Sequence, residues 1–164
     1  MSKKIILIFL FILFPILIGN RGINVLNTNN KIVNLTKFDK IEENLSKALL
    51  YLEIEGLVIS IHEVPKELLY IENGITVNGF VIQENNCSFY LFLSPLLESD
   101  YLIEVLAHEL IHINQYYMKK LISISYEEVY WNDSLIQVSK TNYIDRPWEI
   151  EAFNGQNCLY EKIK

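Results

Sequence analysis

The chain has 164 residues, enough for one domain that buries a core without disulfide staples. Just over half of it is hydrophobic (51%), as in a globular protein, although part of that share lies in an apolar N-terminal run. A formal charge of -6 argues against nucleic acid and against a basic membrane-surface patch, so no nucleic-acid partner is expected.

Residues 1–20 read as an export signal. Lys3 and Lys4 precede an apolar run over 5–18 broken only by Pro15, which has the length of a signal-peptide core and is short for a membrane span. No small-x-small site precedes Gly19 and Asn20, so a cleaved signal peptide and an uncleaved membrane anchor both fit. The working domain is expected outside the cytoplasmic membrane, secreted or attached through this segment. Residues 21–33, rich in Asn and Gly and without periodicity, are expected to be a flexible lead-in, and the domain itself to occupy 34–164.

A first helix is predicted where Phe38, Ile41, Leu45, Ala48, Leu49 and Leu52 share one face and Asp39, Glu42, Glu43 and Lys47 the other. Gly56 is expected to end it. Branched residues over 57–62 predict a strand with His62 at its end, followed by a bend at 63–65. After a turn at 72–74, strands at 76–83 and 88–93 are expected to form a hairpin. Cys87 and Cys158 fit an exported protein either as one disulfide or as two free buried thiols. Neither belongs to a CxxC pair, so zinc held by cysteine is not expected.

Past Pro95, a helix is predicted from about Glu98 or Ser99, capped by Ser99 or Asp100, to about Leu121. Leu102, Val105, Leu106, Leu110, Ile113 and Tyr117 recur in it at helical spacing. It carries His108-Glu109-Leu110-Ile111-His112. Residues four apart stack on one helix face, so His108 and His112 can grip one metal ion. Glu109, one step round, can act as general base toward a water on that metal. Residues 122–131 then read as extended, 132–134 as a turn and 135–138 as the return strand of a second hairpin.

A last helix is predicted to start at Pro147 with Asp145 as its cap and to run toward Lys164. A catalytic zinc commonly takes three protein ligands and leaves a fourth position to water. Glu149 and Glu151 are the candidates for the third. Two apart, they point about 200 degrees apart around the helix and cannot both face the metal.

His-Glu-Leu-Ile-His followed by Pro-Trp-Glu-Ile-Glu-Ala resembles the gluzincin class of zinc metallopeptidases, in which an HExxH helix is followed by a helix bearing a glutamate ligand. The resemblance spans about residues 98–160. It implies an α+β, zincin-like fold: a small twisted sheet packed against an active-site helix with HExxH and a C-terminal helix with the third ligand. Members often place that glutamate three residues before an alanine, which selects Glu149, with Ala152 letting the helices approach. An aspartate often follows the alanine and orients a metal-binding histidine, but Phe153 stands here. The resemblance further implies zinc on His108, His112 and Glu149, Glu109 as catalytic base, and a peptide or protein substrate. The strand at 88–93 is expected to line the cleft and pair with extended substrate. Tyr130, Tyr143 and Arg146 are neighbours that could donate to an oxyanion, none singled out. The rival expectations are a zinc-binding domain without proteolysis and an envelope interaction module whose HExxH is accidental.

Overall fold

The computed structural model describes residues 29–70 and 75–164. The expected export signal, most of the lead-in and the turn at 72–74 lie outside them. Among the described residues no helix is long and apolar enough to cross a membrane.

The described residues form an α+β architecture with three helices and two small sheets. The first element among them is a strand, β1 (Lys31–Asn34), which corrects the end of the lead-in expected over 21–33. The strand forms because Ile32 is buried while Lys31 donates its backbone N–H to Leu57, so β1 pairs in parallel with β2 (Val58–Glu63). Helix α1 (Ile41–Tyr51) connects the two. It ends before Gly56. Glu53 takes the left-handed conformation (φ 56°), and Ile54 donates to the Leu49 carbonyl in a Schellman closure with both side chains buried.

Strands β3 (Gly79–Asn85) and β4 (Ser88–Leu93) form the expected hairpin, but the sheet order is β1-β2-β4-β3. β4 lies in the interior, parallel to β2 on one side and antiparallel to β3 on the other. The expectation that residues 88–93 line the cleft and pair with extended substrate therefore fails, because both edges of that backbone are already paired and none of them lines the cleft described below. The edge nearest the later helices is β3.

Alternation decides the faces of this sheet. Ile59, Ile61, Phe89, Leu91 and Leu93 point inward against α1 and the two later helices, α2 (Ser99–Tyr117) and α3 (Pro147–Ile163). On the outer face His62 stacks on Phe92 at 5.4 Å between ring centroids, and Phe80 stacks on Phe92 from the other side at 4.8 Å. His62 is thus part of an aromatic row, away from the chemistry considered below.

Residues 121–137 form the second sheet, β5 (Leu121–Ser123), β6 (Glu128–Trp131) and β7 (Ser134–Gln137). The single extended stretch expected over 122–131 is broken at 124–127, where Ile124 and Ser125 both donate to the Glu128 carbonyl. Asn132 and Asp133, both at positive φ, make the two-residue turn between β6 and β7. Leu121, Val129 and Trp148 form a small second core beneath this sheet.

The helix ends also differ from expectation. Glu98 precedes α2 and Arg146 precedes α3, and neither helix has a side-chain cap. Asp145 instead accepts from the Asn142 side chain. Pro147 does occupy the first turn of α3, where its missing N–H costs nothing. Cys87 and Cys158 are free and exposed, so neither the disulfide nor the buried-thiol expectation holds.

Candidate metal centre

Helices α2 and α3 lie side by side against the inward face of the four-stranded sheet. Close approach is possible because Ala152 is fully buried and Gly155 has no side chain. A Cβ on Gly155 would stand 2.9 Å from the Ile111 side chain. That closeness brings Glu149, in the first turn of α3, against the histidines on the middle turns of α2.

The three candidate ligand atoms form a nearly equilateral triangle. His108 Nε2 is 3.3 Å from Glu149 Oε2, His112 Nε2 is 3.5 Å from the same oxygen, and the two Nε2 atoms are 3.2 Å apart. Metal–ligand bonds of about 2.0–2.1 Å in a tetrahedron set ligand atoms about 3.3–3.4 Å apart, so the triangle has the dimensions of one tetrahedral face. All three residues are buried, and together they could hold a metal ion.

The ring nitrogens that face away from the triangle fix the orientation. His108 Nδ1 donates to Gln156 Oε1 at 2.9 Å, and His112 Nδ1 donates to Gln115 Oε1 at 2.9 Å. Each glutamine is locked by its own amide nitrogen. Gln115 donates to the Trp148 carbonyl at 2.8 Å and to Glu151 at 3.0 Å, while Gln156 donates to Glu104 at 3.2 Å. With the amide oxygens aimed at the rings, each Nδ1 carries a proton and each Nε2 faces the triangle, where a metal ion would replace the proton that it shares with Glu149.

Glu151, the rival third ligand, faces away from the triangle. It pairs with Lys120 at 2.7 Å and holds Gln115. The spacing argument that preferred Glu149 therefore agrees with the geometry. Phe153 packs its ring on His108 at 4.6 Å between centroids and leaves the orienting work to Gln156, seven residues after Glu149 on the same helix face. Neither Gln115 nor Gln156 was anticipated. Gln156 could have been found by extending the Glu149 face two turns, and Gln115 by looking one turn beyond His112.

Charge in the cluster is strongly redistributed. Burial pushes the Glu149 carboxyl up, but the hydrogen bonds from His108, His112 and Tyr143 outweigh it and hold it down at about 2. Burial likewise disfavours the charged form of His112, yet its contacts with Glu149 raise it to about 9. Glu109 is raised, mainly because it is buried. Its Oε2 is a buried acceptor with no hydrogen-bond partner, an atom whose desolvation is otherwise uncompensated.

Glu109 and His108 form part of the floor of a cleft of about 220 Å³ between α2, α3 and the segment 75–79 that leads into β3. Gly79 lets the strand touch the helix there: a Cβ would lie 3.0 Å from Val105 and 3.2 Å from Glu109 Cγ. Of the three oxyanion candidates, Tyr143 lines this cleft and hydrogen-bonds Glu149. Arg146 is buried with its guanidinium on the Thr141 and Val138 carbonyls, and Tyr130 is an exposed residue of β6 beside Ile122 and Leu135.

No family model matches the chain, and neither the curated proteins nor the solved structures compared with it give a match. What the fold and site define on their own is an α+β domain with a buried two-histidine, one-carboxylate candidate metal centre at the floor of a cleft.

Proposed function

We propose that the protein is a zinc metallopeptidase of gluzincin type. The observation that carries this reading is the triangle of His108 Nε2, His112 Nε2 and Glu149 Oε2, with a partnerless buried carboxylate oxygen on the residue next to His108. Two imidazoles and one carboxylate suit zinc, and three protein ligands leave room for water. Zinc bound there supplies an acidified water and a Lewis acid for the substrate carbonyl.

The protein's own groups then have separate tasks. Glu109, raised by burial, accepts a proton from the water and delivers it to the leaving amine. The Tyr143 hydroxyl, kept protonated by burial and by Glu149, turns from Glu149 to donate its one hydrogen bond to the developing oxyanion. The segment 75–79, which ends at the first residue of edge strand β3, is the side of the cleft against which an extended peptide lies, the role expected earlier of residues 88–93. An export signal at 1–20 would put this activity outside the cytoplasm on secreted or membrane-adjacent peptides.

The test is cleavage of a peptide library by the zinc-loaded full chain beside Glu109→Gln. Cleavage by the wild type and a loss of at least about a hundredfold in the variant, with zinc retained, are expected. A zinc-replete wild type that cuts nothing would replace this reading with the non-catalytic zinc-binding one.

A further inference from the structure

One charged group in the cleft has no part in the mechanism above. Glu104 lies one turn before His108 on α2, about 6 Å along the helix axis, and its side chain lines the same cleft. It is half-buried. Its Oε1 accepts from Gln156 Nε2 at 3.2 Å, and among the described residues no lysine or arginine pairs with it. Most surface glutamates swing freely, whereas this one is held by the amide that also orients His108.

The walls around it are aromatic. Tyr101 stands one turn back on α2 and is fixed by Asn78 Nδ2, which donates to its hydroxyl at 2.8 Å. Phe153 reaches in from α3. No cationic side chain lines the cleft among the described residues, so Glu104 is its one fixed negative charge outside the candidate metal centre and Glu109. A carboxylate lining one cleft with aromatic side chains suits an ammonium or guanidinium, through a charge-assisted hydrogen bond and cation–π contact.

We propose that Glu104, which shares the cleft lining with Tyr101 and Phe153, is the specificity group of the cleft and takes a lysine or arginine side chain of the peptide substrate close to the scissile bond. The assignment rests on the metallopeptidase reading for its substrate, but recognition and cleavage separate experimentally. The probes are N-acetylated alanine-rich peptides in which one arginine is moved along the sequence, each matched with its citrulline isostere. Binding is measured by calorimetry on the zinc-loaded full chain carrying Glu109→Gln, and cleavage on the wild type.

At one position arginine should bind about tenfold more tightly than citrulline. Adding Glu104→Gln should remove that difference while the zinc content stays the same. In wild-type kinetics the arginine preference should appear mainly in KM. Equal binding of arginine and citrulline at every position overturns the proposal, as does a preference that survives Glu104→Gln or appears only when the N-terminus is left unacetylated. Arginine-selective binding without any wild-type cleavage upholds the subsite and removes the peptidase reading instead.

Discussion

Gln156 Oε1 accepts a hydrogen bond from His108 Nδ1 at 2.9 Å, so a neutral amide on α3 sets the tautomer of a candidate metal ligand on α2. The same arrangement recurs at His112 with Gln115. A carboxylate in either place would add negative charge beside Glu149. Amides orient the rings without doing so.

Removing that orientation should weaken metal binding without abolishing folding. Gln156→Ala is expected to lower zinc affinity by about 10- to 100-fold in a chelator competition. Its thermal stability without metal should fall by no more than about 1–2 kcal/mol, the scale of the two hydrogen bonds that Gln156 makes at a partly exposed site. Unchanged zinc affinity would show that His108 holds its orientation by helix geometry and the Phe153 contact alone.

The strand-to-helix contact at Gly79 gives a second expectation. Gly79→Ala places a methyl group 3.0 Å from Val105 and 3.2 Å from Glu109 Cγ, and the neighbours must yield by a few tenths of an ångström. The cost should be about 1–3 kcal/mol in denaturant unfolding. Because Glu109 is one of the groups displaced, kcat should drop while zinc content stays at the wild-type level. An unaltered kcat would mean that Val105 absorbs the whole displacement.

The pH dependence of the metal-free protein follows from His112 and Glu149. His112 is raised from 6.5 to about 9, so the stability it contributes is complete below pH 6.5 and is lost as pH rises through about 9. Glu149 is lowered from 4.5 to about 2, so its contribution is present above pH 4.5 and is lost as pH falls through about 2. Between pH 6.5 and 9 the metal-free Tm should fall by on the order of 5 °C. Zinc takes the place of the His112 proton, so the zinc-loaded protein should keep its Tm over that interval. A metal-free Tm that is flat or rising from pH 6.5 to 9 would mean that His112 is not protonated against Glu149.

The HExxH helix and the last helix were legible because each rests on local periodicity: four residues bring His108 over His112, and two residues turn Glu151 away from Glu149, whereas the preference for Glu149 over Glu151 came from the gluzincin resemblance. The order of the sheet was not. β1 has one buried apolar residue, Ile32, and forms only through parallel pairing with a strand beyond α1. Whether residues 88–93 stand at an edge depends on β2 inserting beside them, which no feature of residues 88–93 specifies. Helix termini were misread for a related reason. Glu53 and Lys119 adopt the left-handed conformation usually given to glycine, because Schellman closures at the ends of α1 and α2 hold them there. Gln115 and Gln156 stand at helical spacing from His112 and Glu149, but glutamine on a helix face is ordinary until the partner ring is known to lie opposite, so spacing alone did not single them out.

The most direct measurement is metal stoichiometry by native mass spectrometry on the full chain, wild type beside Glu149→Ala and Glu151→Ala. One zinc ion per wild-type chain is expected, with none retained by Glu149→Ala under the same conditions and full retention, at somewhat weaker affinity, in Glu151→Ala. Equal and negligible metal in all three, or loss confined to Glu151→Ala, would contradict the His108–His112–Glu149 centre.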